Sequence, residues 1–246
     1  MTSTTTGFWV LVTLAEVSGL AALILVGVLG GKHVKDPGYG WDGSLHTFNY
    51  HPMLMSLGFI FLYGNGAIAF RVIATTGINL ARTTQKLIHF IFQASALIVA
   101  IVALVAVFKY YDKQGYQDMF SPHSWIAIIA TGLFTVQVQL IGGFFFFLFP
   151  KWGSSSLKAS MLSLHVFTGK FIFIMMIATA LMGLTEVVIY DIVKPEEFPS
   201  GLIVANMFGL CMLLFCGCII TILLKPQYQA SSLAKDETIQ MEIHDE

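Results

Sequence analysis

Residues 48–72 read FNYHPMLMSLGFIFLYGNGAIAFRV, and this stretch decides the fold. It is long and apolar enough to cross a bilayer as one helix, since ~20 residues suffice. Pro52 suits the first turn of a helix, where its missing N–H would be unpaired in any case. His51 therefore lies at the beginning of a predicted membrane-spanning helix, close to the water.

Three later apolar runs repeat this pattern, and each carries one histidine close to its beginning. They are 84–108 with His89, 122–149 with His123, and 160–184 with His165. Two further apolar runs, at 8–31 and 200–224, contain no histidine. The sequence therefore predicts an all-α integral membrane protein of six transmembrane helices, in which helices 2–5 form a central four-helix bundle.

The composition agrees with a membrane protein. Of the 246 residues, 56% are hydrophobic and 11% are charged, whereas a soluble domain carries about 25% charged residues. The segments between the apolar runs are short, so we expect one transmembrane domain, 1–225, followed by a polar cytoplasmic tail, 226–246. Glu16 is the one acid within helix 1, and we expect its carboxyl group to bond to a neighbouring helix.

The distribution of basic residues predicts the orientation. The loops after helices 2 and 4 contain lysine and arginine but no acid, whereas the opposite loops mix both signs. The acid-free loops carry Arg71, Arg82, Lys86, Lys151 and Lys158. Because lysine and arginine favour the cytoplasmic side, this bias places these loops and both termini in the cytoplasm.

The direction of the helices sorts the four histidines into two pairs. Consecutive membrane-spanning helices are antiparallel, so a histidine near the start of each alternates between the two faces. His51 and His123 then lie near the non-cytoplasmic face, and His89 and His165 near the cytoplasmic face. The sequence therefore predicts two histidine pairs at two depths, each pair on parallel helices.

The residue types favour haem over other metal sites. Ionisable side chains within a membrane are rare and usually functional. Zinc or iron transport would recruit carboxylates or thiolates beside histidine, and none accompanies these four. Two histidines per site, with no other protein ligand, suit haem iron held from both faces. A divalent-metal or proton transporter with a histidine relay is the alternative, and a haem-free scaffold would leave the histidines unexplained.

Several motifs, taken in order, resemble the cytochrome b561 family over nearly the whole chain. They are Gly40-Trp41-Asp42-Gly43, Phe48-Asn49-Tyr50-His51-Pro52, Phe70-Arg71-Val72, Lys86-Leu87-Ile88-His89, Val105-Ala106-Val107-Phe108, Ser121-Pro122-His123-Ser124-Trp125 and Ala180-Leu181-Met182-Gly183-Leu184-Thr185-Glu186. The run Gln114-Gly115-Tyr116 is similar to the secretory-vesicle type more than to the duodenal ferric-reductase type.

The resemblance implies an ascorbate-dependent transmembrane oxidoreductase. It implies six helices, two b-type haems, a homodimer and ascorbate as the cytoplasmic electron donor. The acceptor on the far side would be monodehydroascorbate or ferric iron, for example as a chelate, and nucleic acid is not expected as a partner. The haem ligands of the family match His51 with His123 and His89 with His165, which agrees with the pairing from helix direction.

The resemblance also implies further site residues at both faces. On the cytoplasmic side, Arg71, Arg82, Lys86 and Lys158 are expected near ascorbate and the haem propionates, which are anions. Topology alone would also place these cations there. On the non-cytoplasmic side, the expected residues beside the haem or the substrate are Asn49, Ser121, Ser124 and Trp125. Two departures from the family are Pro122, where leucine is usual, and Lys158, where lysine lacks the bidentate fork of arginine.

Overall fold

A computed structural model describes residues 3–137, 154–192 and 199–229, and this part of the chain is helical without strands. Helix α1 covers Ser3–Val28 and continues as a π-helical turn, Leu29–His33. The others are α2, Leu45–Thr76; α3, Arg82–Gln114; α4, Pro122–Val136; α5, Ser155–Val187, with a π-helical end at Val188–Ile192; and α6, Ser200–Leu224. A 3₁₀ turn, Pro226–Tyr228, follows α6.

The predicted fold class is confirmed. Five of the helices, α1, α2, α3, α5 and α6, are long and apolar enough to cross a membrane. The described part of α4 has 15 residues, and the rest of the predicted span 122–149 lies outside the described residues. Helix ends extend beyond the predicted apolar runs because polar turns at the interface stay helical. For example, α3 continues to Gln114. The next residue, Gly115, has a φ of 67°, which is the left-handed conformation of a glycine C-cap.

Helix α2 is assembled from several segments. It begins with Leu45–Phe48 and Tyr50–Met55, widens to a π-helix over Ser56–Leu62 and ends as Tyr63–Thr76. π-Helical segments within α-helices are frequent at functional sites. The wide segment here lies between His51 and Gly66, whose carbonyl oxygen bonds to His89 of the next histidine-bearing helix.

The helices pack as antiparallel neighbours. The most extensive pairings are α1 with α6, α2 with α3, and α4 with α5. A stripe of fully buried alanines on α3, which includes Ala96, Ala100 and Ala103, faces α2. A Cβ atom at Gly58 of α2 would lie only 2.8 Å from the Ala96 carbonyl oxygen. Small residues thus bring the backbones of α2 and α3 into close contact, as is typical within membranes.

Buried polar contacts join the helices as well. The Glu16 carboxyl group of α1 lies beside the Asn65 side chain of α2, on a neighbouring helix as expected from the sequence. The ring of Tyr228, which follows α6, is buried and lies 5.3 Å from the ring of Phe8 in α1. The chain is therefore packed at least to Tyr228, three residues into the segment predicted as a tail, and 230–246 lie outside the described residues.

Hydrogen bonds from α2 and α3 hold the loop between α1 and α2 in place. The Asn49 amide nitrogen donates to the carbonyls of Gly30, Asp36 and Gly38. From α3, Lys109 donates to the Trp41 carbonyl at 2.9 Å and Lys113 to the next carbonyl along. The loop therefore has a fixed position at the end of the bundle that carries His51.

Candidate functional site

His51 and His123 meet at one end of the bundle and are called the first histidine pair here. Their ring centroids lie 6.2 Å apart, with the ring planes at 87°. The His51 Nδ1 atom is 3.2 Å from the Ala103 carbonyl oxygen, and His123 Nδ1 is 2.8 Å from that of Thr179. Pro122 in the first turn of α4 and a capping box between Ser121 and Ser124 fix where this helix begins and hence where His123 points.

His89 and His165 form the second histidine pair, at the other end of the bundle. Their ring centroids lie 6.1 Å apart, with the planes at 72°. His89 Nδ1 is 2.7 Å from the carbonyl oxygen of Gly66. The backbone carbonyl of His165 accepts a hydrogen bond of 3.0 Å from the Gln137 side chain of α4. The structure thus brings together the same two pairs that helix direction predicts.

The backbone carbonyls fix the tautomer of the histidines. In three of the four, Nδ1 bonds to a carbonyl of the antiparallel neighbour: α2 to α3, α3 to α2, and α4 to α5. A carbonyl oxygen only accepts, so Nδ1 carries the hydrogen. Nε2 then keeps its lone pair, which is the form of imidazole that binds a metal.

The spacing of both pairs fits haem iron. With metal–nitrogen distances of about 2.0–2.1 Å and each ring centre about 1.1 Å behind its nitrogen, two imidazoles on one metal have centroids about 6.3 Å apart. The observed separations are 6.2 and 6.1 Å. Each pair could therefore hold one iron between its two imidazoles.

A cavity of about 830 Å³ surrounds the first histidine pair. Its lining is largely apolar and includes Met55, Phe59 and Ala127 beside the two histidines. This volume lies in the range of cofactor pockets, roughly 300–1,000 Å³. A Cβ atom at Gly183 would be 2.7 Å from the His123 ring, so glycine is needed there to admit the imidazole.

Predicted cytoplasmic residues lie close to the second histidine pair. The Arg82 guanidinium is 5.0 Å from the centre of the Phe70 ring, and that ring is 5.5 Å from the His89 ring. Lys86 lies three residues before His89 on α3 and is half-buried. Lys158 lies in the first turns of α5, the helix that carries His165, and is also half-buried.

Arg71 has a further structural role that the sequence does not predict. Its buried guanidinium donates to the carbonyls of Ile222, Leu223 and Lys225 at the C-terminal end of α6. These carbonyls have no partner within the helix, and a cation there also matches the helix dipole. Arg71 therefore fixes the end of α6, and its contact with haem or ascorbate stays a prediction.

The four residues predicted on the opposite side have local hydrogen-bond partners. Asn49 fastens the α1–α2 loop, and Ser121 and Ser124 cap α4, yet all three also line the cavity. Trp125 is 61% exposed and its indole N–H donates to the Met119 carbonyl. Three of the four thus lie at the cavity of the first histidine pair, and Trp125 lies on the outer surface of α4.

Sequence reasoning missed several groups around the histidines. The carbonyls of Ala103, Thr179 and Gly66 have no signal in the sequence, because every residue supplies a carbonyl. Gln93 and Gln137 do have one, since an amide within an apolar helix is unusual. Both are described close to the second histidine pair. In the described residues, no three His, Cys, Asp or Glu side chains gather as a metal site.

Known proteins resemble this chain over most of its length. The family described as eukaryotic cytochrome b561 matches residues 50–191. The transmembrane ascorbate-dependent reductase CYB561 of Homo sapiens is 35% identical over 232 residues, which cover 94% of this chain and 88% of the human protein. The plasma membrane ascorbate-dependent reductase CYBRD1 of Mus musculus is 37% identical over 225 residues, or 91% and 75% of the two chains. This chain is therefore similar to both the CYB561 and the CYBRD1 type. A greater similarity to the secretory-vesicle type stays a prediction.

Proposed function

The chain belongs to the eukaryotic cytochrome b561 family and is a multi-pass membrane oxidoreductase, and from this premise we propose that it carries electrons from cytosolic ascorbate through two haems to an acceptor on the other side. His51 and His123 would hold the non-cytoplasmic haem. His89 and His165 would hold the cytoplasmic haem.

One observation carries this proposal: two histidine pairs with almost equal ring separations lie at the two ends of one bundle. A b-type haem at each pair would supply a one-electron carrier with no open iron position for oxygen. The protein supplies the imidazoles, carbonyls that orient three of them and, at the first pair, a largely apolar cavity.

Basic side chains support ascorbate as the donor at the second histidine pair. Ascorbate is an anion at neutral pH, and haem propionates are anions too, so cations at this end favour both. Lys86 is the first candidate for the donor, because it precedes His89 by one helical turn. Arg82 and Lys158 are the expected neighbours, and Arg71 would act indirectly, through the end of α6.

The acceptor is proposed as monodehydroascorbate or a ferric chelate at the cavity of the first histidine pair. Asp36, Asp118 and Glu186 line this cavity together with Lys35. The excess of acids disfavours strongly anionic acceptors, because like charges repel. Parallel measurement of the electron-transfer rates to monodehydroascorbate, ferric citrate and a less anionic ferric chelate distinguishes them, and the least anionic chelate should react faster than citrate.

Topology and assembly complete the proposal. Six spans would put both termini on one side, and the basic loops favour the cytoplasm for that side. The family resemblance implies a homodimer in a secretory or endolysosomal vesicle or in the plasma membrane. The domain would cover 1–225 and the tail 226–246. Protease added to sealed right-side-out vesicles should then spare the tail, and cross-linking in the membrane should give a dimer.

Haem content tests the proposal directly. The purified chain should contain two haems of b type, measured as the pyridine haemochrome per chain. His51→Ala and His89→Ala should each remove one haem and leave the other. The matched control is His46→Ala, because His46 lies in the first turn of α2 beside Asp36 and belongs to neither pair.

Two results would contradict it. A folded, colourless protein would remove the haem proposal entirely. Flux of divalent metal into liposomes without any electron donor would instead favour the transporter alternative.

A further inference from the structure

Gln93 differs from the residues at equivalent positions of the other histidine-bearing helices. Each histidine is followed, four residues further into the membrane, by a residue on the same helix face. These residues are Met55 after His51, Gln93 after His89, Ala127 after His123 and Gly169 after His165. Only Gln93 is polar. Residues four apart on a helix are neighbours, so a macrocycle held by His89 would lie beside Gln93.

The backbone of α2 is shaped to admit this amide. Gln93 is 5% exposed, and its Nε2 atom lies 3.4 Å from the Tyr63 carbonyl oxygen. A Cβ atom at Gly66 would lie only 2.5 Å from Nε2. The carbonyl of the same Gly66 holds His89. The Gln93 amide and the His89 imidazole therefore both contact one turn of α2.

The other end of the amide is buried without a partner. Among the described residues, the Gln93 Oε1 atom has no hydrogen-bond partner and no contact with solvent. Burying an unpaired acceptor is costly, and such groups are rare in native proteins. Since Nε2 bonds to α2, Oε1 is the end that the helix pair leaves unused. This cost points to a function for the oxygen.

We propose that Gln93 lowers the reduction potential of the haem on the second histidine pair, an inference that rests on the proposed function. Ferric haem carries one more positive charge than ferrous haem. The negative end of the amide dipole, in a medium of low dielectric constant, stabilises the ferric form. Burial and hydrogen bonding around the ligands are known levers on haem potential. Gln93 thereby favours electron transfer away from the donor side.

The test exchanges the residues at the two equivalent positions. Gln93→Met gives the second histidine pair the residue that follows His51, and Met55→Gln does the reverse. Redox titration of the full-length protein in nanodiscs, followed by the haem absorption, measures both midpoint potentials. Gln93→Met should raise the midpoint potential of the haem on the second histidine pair by ~59 mV. For a one-electron couple, this is a tenfold change in the equilibrium constant. Met55→Gln should lower the other midpoint.

The outcomes separate this inference from the proposed function. Variants that keep two haems with both midpoints unchanged would overturn the role of Gln93 and leave the haem assignment intact. A wild-type chain without two haems would overturn the proposed function itself. Gln93→Ala removes the amide without adding volume, so it replaces Gln93→Met if that variant fails to fold. A lowered midpoint in Gln93→Ala or Gln93→Met would also refute the inference.

Discussion

The two histidine pairs have the same geometry but different surroundings. Around the first pair, the Ser56 and Thr179 hydroxyls line the cavity and bond to carbonyls of their own helices, at 2.7 and 2.8 Å. Around the second pair, polar side chains bond between helices. The Tyr63 hydroxyl donates to the Gly169 carbonyl at 2.7 Å, and Gln137 donates to the His165 carbonyl.

The difference shows that the positions of the histidines and the surroundings of each pair depend on different residues. The ring separations of 6.2 and 6.1 Å accompany a repeated arrangement, a histidine near the start of each helix, held in three of the four cases by a carbonyl of the antiparallel neighbour. The surroundings follow from individual side chains. A hydroxyl that bonds to its own helix joins no second helix to the site, whereas interhelical amides and a tyrosine link the helices around the second site. Two histidine pairs with the same ring separation can thus differ in their properties.

Glycine substitutions offer the largest effect that separates the two regions. Gly183→Ala places a Cβ atom 2.7 Å from the His123 ring, and Gly66→Ala places one 2.5 Å from the Gln93 amide, in contact with the turn that holds His89. Overpacking of this kind costs roughly 1–3 kcal/mol. Each variant should therefore lose up to one haem per chain, Gly183→Ala from the first pair and Gly66→Ala from the second, as measured by the haemochrome.

Gly132→Ala is the matched control, because no atom of the described residues lies within 4 Å of a Cβ atom there. It should keep the full haem content. If Gly183→Ala and Gly66→Ala gave identical losses from both sites, the two regions would not be independent.

Much of this arrangement is predictable from the sequence. Long apolar runs predict the helices, and one histidine at the start of each run predicts the pairing, because antiparallel helices alternate in direction. The position of Gln93, four residues after His89, is equally visible in the sequence. Its unpaired oxygen is not, since that depends on which atoms α2 brings within reach.

Arg71 shows why the rest cannot be predicted. Its position after a span correctly suggests a cation near the membrane surface. Its partners, however, are backbone carbonyls about 150 residues away at the end of α6. Backbone acceptors have no residue type, so only the packing of α2 against α6 reveals them. The same holds for Asn49, whose amide bonds to three loop carbonyls.

A lysine exchange tests the donor end with an intermediate effect. Lys86→Ala should weaken ascorbate reduction roughly tenfold, the equivalent of about 1.4 kcal/mol for one lost charge-assisted contact. Haem content should stay unchanged. Stopped-flow reduction by ascorbate measures the effect, and Lys109→Ala is the control, since Lys109 lies at the opposite end of α3 and bonds to the Trp41 carbonyl. Equal rates of reduction by ascorbate in the wild type, Lys86→Ala and Lys109→Ala would leave Lys86 with a role in membrane topology alone.

The smallest effect concerns the loop above the first histidine pair. The backbone N–H and hydroxyl of Ser44 donate to the Asp42 carboxylate at 2.9 and 2.6 Å. These hydrogen bonds lower the pKa of Asp42 from 3.8 to about 2. Because the folded pKa is depressed, the contribution of the carboxylate to loop stability is complete above the ordinary pKa and is lost as the pH falls towards 2. Between pH 7 and 5, the Asp42 carboxylate should therefore keep the loop in place.

Trp41 precedes this carboxylate and reports on it. Its emission, taken as the difference between the protein and its Trp41→Phe variant, should be constant from pH 7 to 5 and change only below about pH 4. Asp42→Asn should show part of this change already at pH 7, because a neutral amide accepts the Ser44 hydrogen bonds more weakly. A change of the Trp41 emission already between pH 7 and 5 would contradict this role of the Asp42 carboxylate.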